Sequence, residues 1–193
     1  MSHYLPTAML AFLALGVGTT AQDPPKGQKD PQSQIEPRSA PGEGQKFLQQ
    51  FVGRWDVVKT FYPRTGEPAV ARGECVQTMI HDGRFLHSEF TFTDAGAKTT
   101  GTGTIGFDAD TGRFTSFWID SRSTRVSVRQ SRDKFDGRQI VLFAKPLDEA
   151  NARQSRTVTR LENNGKRVVH QQFGATPDGK ERLVMELVMD RRD

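Results

Sequence analysis

The chain has 193 residues, enough for one domain of ordinary size with appendages and short for two. Its 27 Lys and Arg against 23 Asp and Glu leave a net charge of +4, but both signs are interspersed. The lack of a dense basic block argues against a phosphate-tracking nucleic-acid interface. Cys75 is the single cysteine, so no intramolecular disulfide can form and no cysteine cluster can hold zinc.

The hydrophobic share of 35% and a mean hydropathy of -0.61 are low for a chain folded throughout. The deficit is concentrated near the N-terminus. Leu5 to Val17 is largely apolar, of a length that suits the core of a secretion signal and falls short of a bilayer span. Thr19-Thr20-Ala21 fits a leader-peptidase site, although His3 stands where a Lys or Arg is usual. Residues 1–21 are therefore expected to be a removable signal peptide, delivering the protein to the periplasm or the exterior. No cysteine follows that core, so a lipid-modified N-terminus is not expected.

Gln22 to Gly44 holds five of the ten prolines, with Ile35 as its only sizeable apolar side chain. Such a segment buries too little surface to offset its ordering entropy, and residues 22–44 read as a linker. Phe47, Leu48, Phe51 and Val52 then line one side of a short helix, which Gly53 stops.

From there to residue 193 the pattern changes to short runs rich in Val, Thr, Phe and Ile. The expected strands are Arg54 to Phe61, Val70 to Ile80, Phe85 to Thr93, Thr99 to Phe107, Arg113 to Asp120, Arg125 to Arg132, Gln139 to Lys145, Arg153 to Leu161, Arg167 to Phe173 and Glu181 to Met189. Asp82-Gly83, Asp110-Thr111-Gly112, Asp136-Gly137, Asn163-Asn164-Gly165 and Pro177-Asp178-Gly179 are among the turns between them. A run of consecutive antiparallel strands exposes two edges unless it closes. An all-β up-and-down barrel of eight to ten strands is the economical answer, with a two-layer sandwich as the alternative.

Gly53-Arg54-Trp55 after a short helix resembles the G-x-W opening of lipocalin-type barrels. With it stand Asp82-Gly83-Arg84-Phe85-Leu86, Gly101-x-Gly103, Trp118-Ile119-Asp120-Ser121 and Met185-Glu186-Leu187. Together they resemble a bacterial family known as domain of unknown function 1579, whose members look lipocalin-like, over roughly residues 45 to 192. The resemblance implies that Arg191 covers Trp55 and closes one barrel end. It implies no activity.

Strand alternation groups Phe85, His87, Glu89 and Thr91 on one face, and Phe114, Ser116, Trp118 and Asp120 on another. It likewise groups Val168, His170 and Gln172, and Val184, Glu186 and Val188. If all four sets face inward, then His87, Glu89, Trp118, Asp120, His170 and Glu186 form a polar site that orients a small hydrophobic or amphipathic ligand. If the faces are reversed, Leu86, Phe90, Phe92, Leu183, Met185 and Leu187 lie inside and the charges face water.

No histidine spacing points to a metal, and no cofactor is implied. A single-histidine haem site would have only His87 or His170 to use. Cys75 reads as inert core, and Gly101, Gly103 and Gly106 as residues that allow strand curvature. The leading functional expectation is an exported ligand carrier. An enzyme using lumen carboxylates and a cell-envelope interaction module are the alternatives.

Overall fold

A computed structural model describes residues 35, 39–94, 96–144, 155–176 and 178–192. The expected leader lies outside the described residues, and so does most of the expected linker. Ten strands are present among the described residues: β1 (Gly53–Phe61), β2 (Ala69–Ile80), β3 (Phe85–Asp94), β4 (Ala97–Asp108), β5 (Arg113–Asp120), β6 (Ser123–Gln130), β7 (Gln139–Ala144), β8 (Ser155–Glu162), β9 (Arg167–Ala175) and β10 (Glu181–Arg191). Every expected strand is found, with ends within two residues. One helix, α1 (Glu43–Gln49), precedes them.

Each strand pairs antiparallel with its neighbours in the chain, and β1 closes on β10 from Trp55 opposite Arg191 to Phe61 opposite Met185. The architecture is a closed all-β barrel, not a two-layer sandwich. Closure removes both edges at once, which is the physical reason a meander of this length curls round. The ladder is uneven. Strands β2 and β3 pair over nine residues, whereas β6 and β7 meet only at Arg129 opposite Ala144 and Gln130 opposite Phe143.

The strand ends nearest α1 are sealed. Phe47, Leu48 and Phe51 are buried against Trp55, Phe107 and Phe114. Phe135, from the β6–β7 connection, packs edge-on to Phe114 at 5.0 Å and tilted against Phe47 at 4.9 Å. The helix ends at Gln49, earlier than the apolar spacing suggests, and Phe51 is carried inward by the turn that follows, with its N–H donating to the Leu48 carbonyl. Buried Gln45 fixes the helix to β4: its amide donates to the Phe107 carbonyl at 2.8 Å, and its oxygen accepts from Gly42 N–H.

Arg191 locks this end. Its guanidinium carbon stands 4.2 Å from the centre of the Trp55 ring. Its nitrogens donate to the carbonyls of Val52 at 2.6 Å, Gln50 at 2.7 Å and Gly165 at 3.1 Å. Two backbone positions make this possible. Gly53, at φ 146°, leaves the space that one guanidinium nitrogen fills, where a side chain would collide with it. The turn after β8 places Asn163, Asn164 and Gly165 in succession at positive φ, and so presents the Gly165 carbonyl to Arg191.

Arg191→Met should lower stability by about 3 kcal/mol, because three carbonyls lose a charged donor and Trp55 loses its cation. Urea unfolding followed by Trp fluorescence measures this. Arg192→Met is the control, since Arg192 pairs with Asp56 and Glu74 on the open surface and its loss should leave the midpoint nearly unmoved. Equal effects of the two changes would refute the locking role of Arg191.

Candidate functional site in the barrel lumen

In a closed wall every side chain points either into the lumen or out of it, so each strand has one choice of parity. Strands β5 and β9 turn Ser116, Trp118, Asp120, Val168, His170 and Gln172 inward. Strands β3 and β10 take the opposite choice from the expected polar site: Leu86, Ser88, Phe90 and Phe92 line the lumen, with Met185, Leu187 and Met189. The polar site is thereby corrected, for His87, Glu89 and Glu186 lie on the outer wall. The cause is energetic: the other face of β3 carries a leucine and two phenylalanines, and enclosing Glu89 would strip a carboxylate of water.

On that outer wall Glu89 is exposed, His87 Nδ1 lies 3.1 Å from the Thr104 hydroxyl, and Glu186 accepts a 2.7 Å hydrogen bond from Gln171. The reversed-face reading fails at one residue. A bulge between Leu183 and Met185 pairs Leu183 with Phe173 instead of the lumen-lining Gln172.

The lumen keeps a cavity of about 410 Å³ between the sealed end and the rim residues Phe61, Thr100 and Arg122. Phe61, Phe90, Phe92, Leu142, Met185 and Leu187 give it an apolar wall. Trp118 crosses it. The indole lies over Gly101 and Gly103 of β4, where a side chain at Gly101 would strike the ring and one at Gly103 would press on it, and meets Phe90 edge-on at 5.4 Å. These glycines make room for an aromatic ring, a role distinct from the strand curvature expected of them.

The polar groups are individually tied. Trp118 Nε1 donates to Asp120 at 3.0 Å, and Arg122 donates to the same carboxylate through its backbone N–H at 2.8 Å and its guanidinium at 3.1 Å. Burial pushes the Asp120 carboxyl up, but the bonds from Arg122 and Trp118 outweigh it and hold it down at about 2. His170 Nδ1 shares a 2.7 Å hydrogen bond with the Thr159 hydroxyl. Burial, and then the charge of Arg129, pull its pKa down to about 4, so the imidazole is neutral at ordinary pH.

Lys59, Arg129 and Gln77 are among the lumen residues that escaped the sequence reading. Lys59 is 7% exposed, with its ammonium 3.6 Å from the centre of the Phe92 ring. Arg129 reaches over the short β6–β7 seam to donate to Ser155 Oγ at 2.7 Å, and burial draws its guanidinium pKa down. Gln77 donates to Ser88 at 2.9 Å, while its buried carbonyl oxygen has no partner among the described residues. The available signal was parity: Lys59 is in phase with Trp55, Val57 and Phe61.

Burial pushes the Cys75 thiol up, so it is no nucleophile. Of the three carboxylates the enzymatic alternative needs, only Asp120 faces the lumen, and it is fully ionised across the physiological range. Among the described residues no three His, Cys, Asp or Glu converge to hold a metal.

His170 makes stability depend on pH. Between its folded value of about 4 and the usual 6.5, the unfolded chain takes up a proton and the folded chain does not. Stability should therefore fall as pH drops through that window, by about 3 kcal/mol in all. In His170→Gln, urea midpoints measured across the window should be flatter by that amount. An unchanged slope would show that His170 protonates freely in the barrel.

Comparison with known proteins places the architecture. Rv2717c from M. tuberculosis has a similar fold, with a TM-score of 0.54 at 16% identity over 81% of this chain and 100% of that one. The S-type phycobiliprotein lyase CPES from Guillardia theta is also similar, with a TM-score of 0.52 at 14% identity over 83% of this chain and 97% of the other. No curated protein matches the sequence. At these identities the two structures establish a shared lipocalin-like barrel. Residues 40–191 match the family model described as protein of unknown function, DUF1579, and the chain belongs to that family.

Proposed function

We propose that the protein is an exported carrier that binds a small amphipathic molecule inside the barrel. The observation that carries this reading is the cavity of about 410 Å³, within the usual range for small-molecule sites, with an apolar wall and a few fixed polar groups. Such a void costs stability unless something fills it. The likeness to a phycobiliprotein lyase agrees with a barrel that handles small molecules, without indicating which. Export rests on the apolar stretch Leu5 to Val17 and the small residues after it.

A second reading, a protein-interaction module of the cell envelope, has one observation in its favour. Phe117, Ile119 and Val126 stand exposed on the outer faces of β5 and β6.

Native mass spectrometry on protein purified from its own host distinguishes the two. A carrier should show a co-purifying small molecule, and Ser116→Trp, which projects an indole into the cavity, should release it while the barrel still melts cooperatively. An unliganded protein in which Ser116→Trp changes nothing would favour the interaction module. N-terminal sequencing of the same material should begin at Gln22, and a chain beginning at Met1 would sink the export proposal.

A further inference from the structure

The carrier reading leaves the charge of the ligand open, and one lumen residue bears on it. Arg129 lies on the inward face of β6 and lines the cavity. Among the described residues its one hydrogen-bond partner is the neutral hydroxyl of Ser155, and no carboxylate of theirs pairs with it. A guanidinium presents five N–H donors in a planar fork, so most remain for something else. Asp120, the one carboxylate that lines the lumen among the described residues, is already held by Arg122 and Trp118.

The surroundings support the same charge. Thr157 and Thr159 bring hydroxyls from β8 to the cavity, and Ser127 adds one from β6. His170, within the electrostatic reach of Arg129, is held neutral and so adds no competing positive charge. Apolar surface continues from the polar group to Leu142, Phe90 and Trp118. Among the described residues nothing neutralises the guanidinium, so a cationic ligand would face its charge and an uncharged one would leave it without a counter-ion from those residues in a partly desolvated place.

Building on the carrier reading, we propose that the barrel binds carboxylates with an apolar body, and that Arg129 takes the carboxylate in a forked pair while the aromatic wall takes the body. Planar fork-to-fork pairing is the geometry in which arginine and carboxylate fit best.

The test is isothermal titration of the full mature chain with dodecanoate and pyrenebutyrate, and with dodecanol and pyrenebutanol as their uncharged counterparts. At least one acid should bind about tenfold or more tightly than its alcohol, as expected for a charge-assisted hydrogen-bonded pair. Which acid binds tells an acyl body from an aromatic one. Arg129→Gln should remove the preference for the acid and leave the alcohol's affinity within about twofold. The comparison in the unaltered chain stands even if that variant fails to fold. Alcohols bound as tightly as their acids, or a preference that survives Arg129→Gln, would overturn the assignment of charge and spare the carrier reading. Failure of all four probes to bind would overturn both.

Discussion

The closure of β1 on β10 is the constraint on which everything else depends. Until the wall closes, the two faces of each strand differ only in how wet they are, and a strand edge is free to pair elsewhere. Once Trp55 lies opposite Arg191 and Phe61 opposite Met185, every residue of ten strands belongs to the lumen or to the surface. Arg191 serves this closure twice. Its backbone belongs to the final strand, and its side chain ties that strand to the carbonyls that follow α1 and to the turn after β8. Three segments far apart in sequence meet at one guanidinium.

Closure alone would leave a tube open at both ends. The short helix and the rings of Phe47, Phe51, Phe107, Phe114 and Phe135 fill one end. The opposite end, with Phe61, Thr100 and Arg122 at its rim, is not filled in this way, and the void lies towards it. Close approach to glycine sets where the rings go: Phe107 rests on Gly44 of the helix, Phe92 on Gly73 of β2, and Trp118 on Gly101 and Gly103 of β4. Large rings opposite missing side chains let a barrel of this girth hold aromatic groups flat against its wall while keeping space at its centre.

The strands and turns were legible in the sequence because Asn, Asp and Gly mark tight turns through local backbone sterics, which tertiary context seldom overrides. The cost of two open edges gave the expectation of a closed barrel, and the family motifs agreed with it. Parity was less legible. On β3 the sequence offers Leu86, Phe90 and Phe92 against Phe85, His87 and Glu89, and hydrophobicity decides correctly if it is trusted. On β5 it misleads, since Phe117 and Ile119 face out while Ser116, Trp118 and Asp120 face in. The inward set wins there because Gly101 and Gly103, opposite Asp120 and Trp118 in the register, leave a bed that the Trp118 indole occupies. That information lies in the pairing of two strands, and no single strand contains it.

A chain selected for stability alone would fill such a lumen with leucine and valine. This one places Gln77, Ser88, Arg129, Thr157, Thr159 and His170 there instead. Internal pairing offsets part of the cost, through Gln77 with Ser88, Thr159 with His170 and Arg129 with Ser155. Among the described residues the pairing is incomplete, for the Gln77 carbonyl oxygen has no partner and the Arg129 fork is used at one nitrogen. Elsewhere in the molecule turn chemistry, apolar parity and aromatic packing mostly agree with one another. Apolar parity also lapses on the outer wall at Phe117, Ile119 and Val126, but only in the lumen do polar groups gather around an enclosed space, and such local inconsistency is the pattern expected where a sequence serves something besides stability.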